Sequence, residues 1–160
     1  MCPYVYENAW SPHLASRVEG NPVDLAVVRE GFAKVAENYD YITMEGSGGI
    51  LCPLCFDEHK IQLEDVIREF NLSSILIADA GLGTINSVVL TFEYMKAHNL
   101  PLKGIIFNHH HPGNIMEEDN IFMCEHMTGL PVLAKVQDNA TELETDADVL
   151  SALYDEVKIR

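Results

Sequence analysis

Three short runs hold most of the residues able to do chemistry: Glu45-Gly46-Ser47-Gly48-Gly49, Asp79-Ala80-Gly81-Leu82-Gly83-Thr84-Ile85-Asn86, and Asn108-His109-His110-His111-Pro112-Gly113. Each joins polar groups to glycine just after an apolar stretch. Glycine allows backbone N–H groups to come close to an anion, and a helix N-terminus adds a favourable dipole, so Thr84-Ile85-Asn86 at a helix start suits a phosphate or a carboxylate. One such loop reads as a tight strand-to-helix turn; two on one sheet edge point to a ligand. Two familiar nucleotide motifs are absent. The pattern G-x-G-x-x-G fails because Asn86 stands where its last glycine would fall, and G-x-x-x-x-G-K-[ST] fails because the chain has no Gly-Lys dipeptide.

Other clusters carry less. Cys52-Pro53-Leu54-Cys55 has C-x-x-C spacing, but a structural zinc site commonly needs two such pairs, and this pair reads as small thiols at a strand exit. His110 and His111 read as part of a solvated turn before Pro112-Gly113. The acidic run Glu117-Glu118-Asp119 reads as a helix N-terminus favoured by the dipole.

The elements that must position these residues follow from hydrophobic periodicity. Leu25, Val28, Phe32 and Val35 share one face of a helix that opens after Asn21-Pro22. Residues 39–45 read as a short buried strand, 63–70 as a helix, 73–80 as a strand, and Ile85 to Met95 as an amphipathic helix. Residues 102–108 make a third strand, Glu117 to Thr128 a helix stopping at Gly129, and 131–136 a fourth strand. Val149, Leu150, Leu153 and Val157 line a closing helix capped by Thr145 or Asp146. Apolar strands without polar alternation, each followed by a helix, predict an α/β fold: a mostly parallel β-sheet flanked by helices on both faces. In open parallel sheets, ligands bind at the carboxyl ends of the strands, where the three runs lie.

With 160 residues, 48% hydrophobic and 22% charged, the chain is expected to form a single domain over 1–160 with a substantial core. Its 25 acidic against 10 basic side chains leave little from which to build a phosphate-binding face for nucleic acid. No apolar run of about 18 residues spans a membrane. The opening MCPYVYENAW lacks the pattern of a signal peptide, and the expected compartment is the cytoplasm.

The segments SPHLAS (11–16), MEGSGGILCPL (44–54), ADAGLGTIN (78–86) with Leu90-Thr91, GIIFN (104–108) and PVLAKV (131–136) resemble dethiobiotin synthetase, in family order and over nearly the whole chain. The run G-L-G-x-I-N followed by Leu90-Thr91 sits closer to that family than to the related amidotransferases of cobyrinic acid synthesis. The resemblance implies a P-loop NTPase-like fold. It also implies Mg-ATP-dependent carboxylation and ring closure of 7,8-diaminononanoate to dethiobiotin, with carbon dioxide as co-substrate, in biotin biosynthesis. By resemblance, Glu45 binds Mg²⁺, and Glu45, Gly46, Ser47 and Gly48 line the nucleotide. Asn108 reads the adenine edge with His109 beside it, and Gln137, Asp138 and Asn139 align with a second adenine-contacting stretch. Gly83, Thr84, Ile85 and Asn86 match the loop whose backbone holds the substrate carboxylate. A homodimer is implied as well.

In the family, the Gly-Lys-Thr phosphate loop and a second catalytic lysine lie upstream of the segment with which this sequence opens. The expectation is therefore an N-terminally truncated form of the fold, with no catalytic residue of its own and inactive alone, because positioning and electrostatics supply nearly all of phosphoryl-transfer catalysis. The alternative expectation is a non-catalytic remnant serving as a nucleotide-binding or dimerisation module.

Overall fold

A computed structural model describes residues 1–57 and 59–156. They form two compact units, Met1–Asn71 and Leu72–Glu156, and each is described by itself.

In the first unit, α1 spans Pro12–Val18 and α2 spans Leu25–Ala36. Proline at the start of α1 costs no hydrogen bond, and the Asp24 side chain caps α2 by accepting from the Ala26 N–H. Strands β1 (Pro53–Phe56) and β2 (Lys60–Gln62) pair antiparallel, with Cys55 opposite Ile61. Helix α3 (Leu63–Phe70) follows directly; the Asp65 carboxylate accepts from the Gln62 N–H at 2.7 Å, and Asn71 ends the helix in a left-handed conformation. Val23, Cys55 and Ile61 form the core, with Tyr4, Leu25, Val28 and Leu54 against them. Phe32 and Phe70 stack at 4.3 Å.

Residues 39–45 do not form the expected strand. They belong to neither sheet, and Tyr39 and Tyr41 are exposed. An apolar extended run becomes a strand only when a neighbour completes its ladder, and none does so among the described residues. The C-x-x-C pair enters β1 instead of leaving a strand.

The second unit holds β3 (Ser74–Asp79), α4 (Thr84–Ala97), β4 (Leu102–Asn108), α5 (Ile115–Thr128), β5 (Val132–Lys135) and α6 (Ala147–Ser151). Its sheet is parallel throughout in the order β3-β4-β5. Ala80, Val88, Ile105, Phe107, Ile121 and Cys124 pack one face of the sheet with α4 and α5. Ile106, Leu133 and Ala134 cluster separately, with Val136 and Leu153. The central strand β4 is buried over Gly104–Phe107, as its unbroken apolar run requires. The edge strand β3 is covered less evenly than expected, since Ile75 and Ile77 are exposed.

Helix boundaries follow their caps. Asn114 accepts from the Met116 and Glu117 N–H groups and starts α5 two residues before the expected Glu117; Gly129 ends it with φ 70°. Asp146, not Thr145, caps α6, and the Thr145 hydroxyl donates to the Leu133 carbonyl at 3.0 Å. Helix α6 stops at Ser151, and Val157 lies outside the described residues.

Candidate functional site

Because β3, β4 and β5 run parallel, their carboxyl ends share one edge. Asp79 lies opposite Asn108, and Phe107 opposite Lys135. Main-chain bonds continue past the strands: the Ala80 N–H donates to Asn108 O at 2.9 Å, and the His110 N–H to Val136 O at 2.9 Å. The structure therefore brings together Asn108, His109, the 137–139 stretch and the start of the 81–86 loop.

Asn108 is half-buried, and its carboxamide forms no hydrogen bond among the described residues, so it keeps both donor and acceptor capacity. His109 turns the chain with φ 54°, and its Nδ1 lies 2.5 Å from Asp138 Oδ1. The other Asp138 oxygen is 3.2 Å from His111 Nε2, so one carboxylate joins two imidazoles. Gln137, Asp138 and Asn139 line a concavity of about 220 Å³, with Glu142 and Glu144 on its wall.

Around the 81–86 loop, the Gly81 N–H donates to Asp79 Oδ1 at 2.6 Å, and a Cβ on Gly81 would meet that oxygen at 2.8 Å. Gly83 precedes α4 with φ +96°, a conformation that side chains rarely adopt. No side chain caps α4. The Ile85 and Asn86 N–H groups and the positive end of its dipole are thus offered to a ligand of negative charge, while the Thr84 N–H donates to Gly81 O.

The histidine run differs from the sequence reading. His110 is not solvated; it is 5% exposed, with Nε2 2.7 Å from Glu118 Oε1, while Lys135 donates to the other Glu118 oxygen at 2.6 Å. His111 is exposed but paired: its N–H donates to Glu117 Oε2 at 2.6 Å, and its Nδ1 is 3.0 Å from Glu117 Oε1. Glu117 itself is buried, so the acidic run does more than favour a helix start. Several of these pairings shift pKa values. Asp138 raises the pKa of His109, and Glu117, followed by Asp138, raises that of His111. The two histidines hold Asp138 below the usual carboxylate range. The His111 backbone N–H lowers Glu117, and Lys135, followed by His110, lowers Glu118.

Glu45, Gly46, Ser47 and Gly48 belong to the first unit, in an exposed loop and not at a strand end. Packing shapes this loop. A Cβ on Gly46 would lie 2.7 Å from Leu63 Cδ2, and Gly48 (φ +81°) would press a Cβ to 3.0 Å from Cys52. Among the described residues, nothing engages the Glu45 carboxylate. An open carboxylate beside a glycine turn fits Mg²⁺, which keeps several waters and takes one or two protein carboxylates with phosphate oxygens. The thiols of the C-x-x-C pair are free; Cys55 is buried, its pKa pushed up by burial, and it donates to Asp57 Oδ1 at 3.2 Å. Among the described residues, no three His, Cys, Asp or Glu side chains converge to hold a metal ion. No described helix is long and apolar enough to cross a membrane.

A family model described as an AAA domain matches residues 1–144. The chain is 48% identical over 145 residues to the ATP-dependent dethiobiotin synthetase BioD of Brachyspira hyodysenteriae, covering 90% of this chain and 66% of that protein. Against the protein of the same name from Clostridium novyi, identity is 44% over 148 residues, with 90% of this chain and 62% of the relative covered. Against that of Clostridium botulinum strain Loch Maree, it is 38% over 154 residues, with 96% and 67% covered. The chain spans 62–67% of the length of these curated relatives. The order of the glycine-rich runs, the parallel sheet that carries the last two of them and the extent of these matches agree: the chain belongs to the dethiobiotin synthetase family.

Proposed function

We propose that the chain, acting as one domain over 1–160, takes part in Mg-ATP-dependent carboxylation and ring closure of 7,8-diaminononanoate to dethiobiotin, in the cytoplasm and as a homodimer. One observation carries the reading: identity of 38–48%, over 90% or more of the chain, to proteins named ATP-dependent dethiobiotin synthetase. In the reaction, one substrate amine adds to carbon dioxide as a carbamate. The γ-phosphoryl group of ATP passes to a carbamate oxygen, and the second amine attacks the carbamate carbon and expels phosphate. Magnesium, when bound, neutralises phosphate charge as it builds.

The chain's own residues have these roles. Glu45 holds the metal, and Gly46, Ser47 and Gly48 line the nucleotide. The Asn108 carboxamide reads the adenine edge, with His109 beside it, and Gln137, Asp138 and Asn139 supply a second adenine-contacting stretch. The backbone of Gly83, Thr84, Ile85 and Asn86 binds the substrate carboxylate, supported by the uncapped start of α4. A second reading is a nucleotide-binding or dimerisation module without turnover.

The test is thermal unfolding with Mg-ATP and with 7,8-diaminononanoate. A ligand at a hundredfold excess over its Kd stabilises by about 2.7 kcal/mol, an increase of about 5–10 °C in Tm for a chain of this length. Glu45→Ala is expected to remove the Mg²⁺-dependent part of the nucleotide effect. No response to either ligand overturns the reading. Phosphate release with all substrates present separates the synthetase from the module.

A further inference from the structure

Asn120 lies on α5, opposite the 81–86 loop, and is 6% exposed. Its Nδ2 donates twice, to Ala80 O and to Gly81 O, each at 3.0 Å. Both carbonyls lie just beyond β3. Gly81 O also accepts from the Thr84 N–H at 3.3 Å, which ties the same oxygen to the start of α4. On the other side, the Ala80 N–H donates to Asn108 O. A continuous chain of bonds thus runs from Asn120 through Ala80 to the end of β4.

The peptide unit is planar and trans, so a carbonyl and the following N–H point in opposite directions. Holding the Gly81 carbonyl toward α5 turns the Leu82 N–H away from α5, and Leu82 itself is 91% exposed. The Gly81 N–H, by the same rule, is directed away from Asn120 and meets Asp79 Oδ1. We infer that Asn120 is a positioning residue: by fixing the peptide planes on either side of Gly81, it presents the Leu82 N–H, with the amides of Gly83, Ile85 and Asn86, to the substrate carboxylate. This rests on the proposed function above. A water satisfying the same carbonyls would remove the orphaned oxygens but would not fix both planes to one rigid helix.

The experiment measures Kd for 7,8-diaminononanoate and, separately, for Mg-ADP, by calorimetry on the 160-residue chain and on Asn120→Leu and Asn120→Gln. Leucine keeps the size and burial but removes the donors; glutamine keeps the donors. Asn120→Leu is expected to weaken diaminononanoate binding by about tenfold, the order of one net hydrogen bond, with Mg-ADP binding within about twofold. Asn120→Gln should recover most of the loss. A merely structural role would weaken both ligands in parallel, and that result, or an unchanged diaminononanoate Kd in Asn120→Leu, overturns the inference. Asn120→Ser carries the same comparison if the leucine variant does not fold. A wild-type chain that binds neither ligand overturns the proposed function and this inference together; wild-type binding with an indifferent Asn120→Leu overturns this inference alone.

Discussion

Truncating His109 and truncating His110 should give opposite results, although the residues are neighbours. The His110 ring is 5% exposed, and it links the end of β4 to α5 through Glu118. His110→Ala removes a buried ring, which leaves a cavity, and a hydrogen bond to an ionised group. The orphaned carboxylate keeps Lys135 at 2.6 Å, which holds the loss to the lower part of the range for such changes. The sum is about 2–3 kcal/mol. At 160 residues that lowers Tm by about 4–12 °C. The His109 side chain is 58% exposed, and exposed ion pairs contribute little to stability. His109→Ala should lower Tm far less than His110→Ala and weaken nucleotide binding, because the ring lies beside Asn108. Far-UV circular dichroism melts at pH 7 and nucleotide titrations of both variants decide the matter. A His110→Ala melt superimposable on wild type, or a His109→Ala melt that falls as far, would show that the buried link is not what holds this edge.

Two further predictions concern packing and pH. Gly104→Ala would place a Cβ 2.7 Å from Leu133 Cγ and 2.8 Å from its Cδ1, against the branch point of a buried side chain, and should destabilise by about 1–3 kcal/mol; Gly46→Ala meets only the tip of Leu63 and should cost less. Equal urea midpoints for the two would refute that ranking. For pH, His109 and His111 are raised above 6.5, so their contribution is complete below that value and is lost as pH rises through the raised pKa values. Asp138 is lowered from 3.8, so its contribution is present above that value and lost as pH falls through the lowered pKa. The Tm difference between wild type and Asp138→Asn should therefore peak at about pH 5–6 and shrink toward both extremes. A difference that stays flat from acid to alkaline pH rules out the pairing.

The elements legible in the sequence are those whose pattern is local. Helix α3 and strand β4 fall on the expected 63–70 and 102–108, because eight amphipathic positions, or a short strand centred on the run Ile105-Ile106-Phe107, already carry the signal. Strands β1 and β2, of four and three residues, are too short to show one. Residues 39–45 have a strand's composition but lack a ladder, which is a property of neighbours and not of the run. The same division applies to the site. The placement of Asn108 and the 83–86 loop at the carboxyl edge of the sheet is readable because apolar strands and the glycine turns after them are local patterns, whereas the pairing of His110 with Glu118 depends on how α5 packs.

That packing also explains the composition of α5. From Ile121 onward it supplies Ile121 and Cys124 to the core, but before that it places polar side chains at buried or half-buried positions. Glu117 holds the His111 turn, Glu118 holds His110, and Asn120 holds Ala80 and Gly81. Burying such groups is costly unless each is paired, and each of these is paired with a loop leaving the carboxyl edge of the sheet. Apolar residues at those positions would add to the core and leave the loops after β3 and β4 without their side-chain anchors. One helix therefore divides its length between holding the sheet and aiming the loops. Substitutions in its first two turns should alter ligand affinity more than stability where the anchored group is a loop carbonyl, as at Asn120. The reverse should hold where the anchored group is a buried ring, as at His110.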